Sequence, residues 1–130
     1  MNDQEFLAQF EAATLHPFQH CDHIRVAWLY LTHYGWDDGY AHIRDGIKHF
    51  AIAHGHSSMY HETITRFWAT IIHYHIVTDG AEDSFDAFIN RHPKLLDKTI
   101  MMQHYSPNIL KSPAARHEWA EPDLIALPIV

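Results

Sequence analysis

Apolar residues recur at three- and four-residue steps along nearly the whole chain, and that period predicts helix after helix. Phe6, Leu7, Phe10 and Ala13 follow Asn2 and Asp3, either of which can cap a helix, with Glu5 near the third position. This first helix is expected to stop at His16-Pro17. A second starts around Asp22 and runs through Ile24, Ala27, Trp28 and Leu31 to Tyr34-Gly35, where the glycine ends it. A third opens at Asp37 or Asp38 and carries Tyr40, Ile43, Ile47, Phe50 and His54 on one face before Gly55. Ser57-Ser58 reads as the cap of a fourth, the most apolar, whose stripe Ile64, Phe67, Trp68, Ile71, Ile72 and His75 leads to Asp79-Gly80.

Beyond Gly80 the pattern shortens. Ser84 caps a brief segment with Phe85, Phe88 and Ile89, and Pro93 opens a further helix through Leu95, Leu96, Ile100 and Met101. Ser106-Pro107, Ser112-Pro113, Glu121-Pro122 and Leu127-Pro128 predict an irregular, proline-punctuated C-terminal segment, with Ile109, Leu110, Trp119, Leu124 and Leu127 available to lie across the bundle. No strand alternation, internal repeat or linker appears. The expected fold is all-α, a compact single-domain bundle of five to six helices over residues 1–130.

Composition fits this picture and narrows the partners. Hydrophobic residues at 47% and charged ones at 19% describe a globular chain that can bury roughly two thirds of its unfolded surface. A net charge of −7, with nine Lys plus Arg and no basic run, argues against a nucleic-acid binder and equally against an anionic membrane surface. No apolar run approaches the roughly 18 residues needed to span a bilayer. Cys21 is the single cysteine, so no intramolecular disulfide can form, and no basic, then apolar, leader follows Met1. A cytoplasmic location is expected. Exposed apolar residues in the tail would either form a homodimer contact or seal their own bundle.

The unusual feature is fourteen histidines, three groups of which stand at expected helix ends: His20-Cys21-Asp22-His23, Ala53-His54-Gly55-His56 and Tyr60-His61-Glu62-Thr63. His20 and His23 are three apart, a spacing that lets both rings reach one ion, and His61, one turn before the Ile64 to Trp68 stripe, is the natural third ligand. His54 is the reserve. Imidazole donors suit zinc, iron, copper or nickel rather than calcium or magnesium. Glu62 has three roles open to it besides a helix cap: ligand, acceptor orienting an imidazole, or general base. Tyr60, Arg66 and Trp28 are candidates for contacting a substrate.

Other chemistries fall away. Thr65 stands where the zinc-protease HExxH helix needs its second histidine, and Asp22-His23 reverses the His-Asp order of the HD phosphohydrolases. His73 and His75 point to different sides of one helix, while His33, His42, His49, His92 and His117 have no partner at useful spacing, so all seven stay outside the site. Cys21 is expected to face away from its two histidine neighbours as a packing thiol. His104-Tyr105, near Arg116, is a candidate cover for the pocket.

The string Phe18-x-His20-x-x-His23-x-Arg25-x-Ala27-Trp28-Leu29-Tyr30-Leu31, followed by Tyr60-His61-Glu62-Thr63 and the later Ser-Pro and Glu121-Pro122 steps, resembles a family of small bacterial all-helical proteins without an assigned activity. The resemblance implies a shared site at His20, His23, His61 and Glu62 and carries no reaction with it. From the residues, the first expectation is a metal-dependent enzyme acting on a small molecule at that site. The alternatives are a non-enzymatic small-ligand or metal sensor, and a structural interaction domain.

Overall fold

The computed structural model describes residues 1–129, and among them there is no strand. Helix α1, Asp3–Glu11, begins where the Asn2 side-chain oxygen accepts the Glu5 N–H at 2.8 Å, which satisfies one of the free donors of the helix end, while the Asn2 side-chain NH2 donates to the Glu5 carboxylate. Phe6 and Phe10 form its buried face.

The expected second and third helices are the two limbs of one element, α2, His20–Ala53. Gly35, at φ 79° and ψ −167°, breaks the helical backbone in a conformation that residues with a Cβ rarely adopt, and the chain folds back on itself there. Tyr34 stacks on His42 at 4.1 Å, and Phe18, just ahead of the first limb, meets Phe50 of the second at 4.5 Å. Gly39 lets the limbs approach: a Cβ on it would lie 2.9 Å from the Tyr30 carbonyl oxygen. The cap differs from the expected Asp22. Gln19 occupies that position, and Asp22, one turn inside, accepts the Gln19 amide at 2.9 Å.

Helix α3, Glu62–Asp79, makes its largest interface with α2 and buries Phe67, Trp68, Ala69, Ile71 and Ile72. Its cap is His61, whose Nδ1 accepts the Ile64 N–H at 3.2 Å; Ser57 and Ser58, the expected caps, belong to a 3₁₀ turn, Ser57–Met59. Helix α4, Phe85–Arg91, starts at Ser84 as its spacing predicts. The helix expected from Pro93 is instead two 3₁₀ turns, Pro93–Leu96 and Lys98–Gln103. Asp97 divides them, because its carboxylate takes both the backbone N–H (2.9 Å) and the hydroxyl (2.6 Å) of Thr99, offering the backbone a partner outside a continuous helix.

The C-terminal segment is more regular than its prolines suggest. Ser106 and Ser112 each cap a short helix with proline at its start, α5, Pro107–Lys111, and α6, Pro113–His117. The remaining tail is anchored to the start of α3 and to Tyr105. Thr63, fully buried, donates to the Glu118 carbonyl at 2.9 Å and accepts the Ala120 N–H at 3.0 Å; Tyr105 donates to the Ala120 carbonyl at 2.7 Å. The core thus joins α1, both limbs of α2, α3, α4 and Tyr105, with Phe10, Ile24, Phe67, Phe88 and Tyr105 all out of reach of solvent.

Candidate functional site

Along one side of the α2/α3 interface the side chains do not close. A cavity of about 1020 Å³ remains, open to solvent, walled by Phe18, Ile43, Ile47, Phe50, Ile64 and Trp68 and reaching the turn that carries Lys98 and Met101. Its polar lining is histidine-rich: His20 and His23 on the first limb, His54 at the end of the second, and His61 at the start of α3 all contribute. The three groups singled out by the sequence therefore meet at one place.

The imidazoles are held in a common way. His20 Nε2 is 2.8 Å from the Leu95 carbonyl, His54 Nε2 is 2.8 Å from the Ala13 carbonyl, and His61 Nε2 is 2.8 Å from the Leu110 carbonyl. A carbonyl oxygen only accepts, so each Nε2 carries a proton and, in a neutral ring, Nδ1 holds the lone pair. His61 spends that lone pair on the Ile64 N–H, whereas His20 and His54 keep theirs. Trp68 meets the His20 ring edge-on at 4.6 Å, and His23 lies flat on Phe18 at 4.1 Å.

Burial keeps the His20, His23 and His61 rings uncharged. Loss of hydration lowers the pKa of His20 and of His61, and it brings His23 down to about 4, with the neighbouring His20 adding a smaller push in the same direction. At neutral pH the cavity accordingly presents neutral acceptors on an apolar surface. Lys98 is its one charged lining residue outside the histidines, and no carboxylate lines it among the described residues.

His20, His23 and His61 share the cavity without converging on a point, since their ring nitrogens do not form a set lying within 4.8 Å of one another. A metal common to all three would require His61 Nδ1 to give up the Ile64 N–H, while Nε2 could keep its bond to the Leu110 carbonyl. Glu62 lies beside the cavity rather than on its wall: Tyr40 donates to one carboxylate oxygen and Tyr60 to the other, the latter at 2.8 Å. Desolvation and the carboxylate push both tyrosine pKa values up, so both remain protonated donors. Tyr60, which does line the cavity, links it to Glu62.

Of the three residues expected to contact a substrate, Tyr60 alone reaches the cavity. Trp28 turns into the core on the α4 side, where its indole N–H donates to the Ala81 carbonyl at 2.9 Å and Phe85 and Phe88 lie 6.0 and 6.1 Å away. Arg66 stacks its guanidinium 4.8 Å over Trp119, beneath the C-terminal tail. His104 and Tyr105 are likewise no cover: His104 Nδ1 binds the Ile125 carbonyl at 2.8 Å and Tyr105 is buried. Cys21, expected to face away, reaches the rim, and burial raises its pKa, which keeps it a thiol rather than a nucleophilic thiolate.

Phe18, Ile47, Phe50, Lys98 and Met101 complete the cavity and were not legible as site residues. Ile47 and Phe50 carry a helical signal, but that signal is the same whether a side chain meets a neighbour or a void. Lys98 and Met101 arrive through a turn far along the chain. No family model, no curated protein and no solved structure matches the chain.

Proposed function

We propose that the chain is a small-molecule-binding protein whose ligand occupies the cavity between α2 and α3. The observation that carries this reading is the cavity itself, about 1020 Å³ and largely apolar, with imidazoles held in place by backbone carbonyls around it. That volume is of the order that holds a drug-sized ligand, and the mixture of apolar walls with a few oriented polar groups is what such ligands need. The chemistry selects an uncharged, mainly apolar molecule bearing a hydroxyl or N–H group to donate to His20, His23 or His54. A cation would find no carboxylate on the wall, and a strongly polar solute would leave the aromatic surface uncovered.

The metal-dependent reading of the same residues places zinc, iron, copper or nickel on His20, His23 and His61, with Glu62 moving a proton through Tyr60. One titration separates the two readings. N-phenyl-1-naphthylamine, uncharged, apolar and carrying a single N–H, should bind saturably with a fluorescence rise that a chelator leaves unchanged. An Ala51→Trp change, which fills the cavity from the second limb, should weaken it more than about tenfold, or about 1.4 kcal/mol, with the helical circular dichroism intact. No saturable binding by the wild-type chain would overturn the proposal. Cobalt uptake abolished by a His20→Ala, His23→Ala, His61→Ala triple variant would put the metal-dependent reading in its place.

A further inference from the structure

A second group of histidines lies away from the cavity, where α3 ends and α4 returns to it. His75 and Asp79 are one turn apart on α3 and face the same way, and His75 Nδ1 is 3.2 Å from Asp79 Oδ2. His92, the residue that terminates α4, brings its ring to 4.3 Å from that of His75 and its Nε2 to 3.9 Å from the same carboxylate oxygen. Each of the three offers one ligand atom, and these atoms all lie within 4.8 Å of one another. They form the one set of three or more such donors with that property among the described residues.

His92 Nε2 is the telling atom. It is shut off from solvent and has no hydrogen-bond partner among the described residues, and the 3.9 Å to Asp79 is too long for a hydrogen bond. Leaving a polar atom buried and unspent is costly, and few native groups do it without a reason. The surrounding frame is nevertheless well fixed. Arg91 donates to the Asp79 carbonyl at 2.8 Å and to the Glu82 carboxylate at 2.7 Å, which ties the end of α4 to the end of α3 and sets His92 opposite His75.

We propose that His75, Asp79 and His92 form a binding site for a divalent transition metal, zinc in the first instance. Two imidazoles and a carboxylate are the donors zinc takes, and they disfavour calcium and magnesium, which call for oxygen-rich sites. Ligands about 2.0–2.1 Å from a tetrahedral ion lie about 3.3 Å from one another. The 3.2 and 3.9 Å separations lie near that value, so small side-chain rotations complete the site. Three protein ligands leave the fourth position to water or to an incoming group. His75 and Asp79 remain partly exposed, which gives the ion an entry path. The ion would staple α4 to α3 and give the unspent His92 nitrogen its partner.

The test uses the untagged full chain, freed of metal and titrated with cobalt(II) and with zinc(II). Cobalt should give ligand-field absorption that saturates at one equivalent, and zinc should displace it and raise the melting temperature. His92→Ala and Asp79→Asn should each weaken binding by more than about tenfold. His75→Gln, at a half-exposed position, is the variant expected to disturb folding least, and it should do the same with unchanged circular dichroism. The cavity triple variant of His20, His23 and His61 should keep the site. Cobalt uptake that persists in His92→Ala and His75→Gln would overturn the proposal, as would its loss in the cavity variant or its absence from the wild-type chain at micromolar metal.

Discussion

His23 is a single residue whose burial sets a pH dependence for the whole fold. Its ordinary pKa of 6.5 falls to about 4 in the folded chain, chiefly because burial strips water from the charged form. The unfolded chain therefore takes up the proton first as pH drops. Stability is complete above about pH 6.5, declines as the medium is acidified, and stops declining on this account below about pH 4. Between pH 7 and pH 5 His23 alone should remove about 2 kcal/mol, and His20 and His61, lowered for the same reason, add to the loss. Urea unfolding at the two pH values measures it; a His23→Asn variant with an undiminished slope would remove His23 as the source. Glu62 is the other residue with a defined cost. In Glu62→Gln one of its two tyrosine donors meets an amide N–H instead of a carboxylate oxygen, and a loss of about 1–3 kcal/mol is expected in the same assay.

At the scale of elements, the hairpin of α2 depends on two glycines in different ways. Gly35 has open space where a Cβ would go, so its constraint is the backbone angle alone, which only glycine adopts freely. Gly39 has ordinary helical angles, but a Cβ there would lie 2.9 Å from the Tyr30 carbonyl oxygen and 3.2 Å from the Leu31 Cα. Neither atom belongs to a flexible side chain, so Gly39→Ala must spread the limbs. The gain in helix propensity, about 1 kcal/mol, is smaller than the overpacking cost of about 1–3 kcal/mol, and the melting temperature should fall. A rise would mean the limbs part easily. A serine followed by proline marks a loop or the cap and first residue of a helix, and only the path of the residues that follow each step tells the two apart.

For the molecule as a whole, the tail is the piece that closes the start of α3. Removing residues after Glu118 leaves the Tyr105 hydroxyl without its acceptor, strips one partner from the fully buried Thr63, and uncovers the Arg66 face that packs on Trp119. At about 1–3 kcal/mol for each stranded buried group, the truncated chain should lose several kcal/mol. Thermal unfolding of the shortened protein checks this, and an unchanged midpoint would show that the tail only lies on the surface. The same tail holds Arg66 against Trp119, off the cavity wall.

Much of the architecture follows from the sequence because helix period, glycine stops and serine or asparagine caps act within a few residues. The limbs of α2, the end of α3 at Asp79-Gly80 and the starts of α1 and α4 are local consequences of this kind. Residues that stand out in the sequence, His20, His23, His54, His61 and Tyr60, line one cavity. What the sequence does not contain is which nitrogen of each ring is spent, because those partners, Leu95, Ala13 and Leu110, lie 75, 41 and 49 residues away. Nor does it mark the void between Phe50 and Trp68, or the meeting of His92 with His75 and Asp79. A periodic pattern states which face a side chain takes, and only the packed tertiary structure decides whether that face meets a neighbour, a cavity or another histidine.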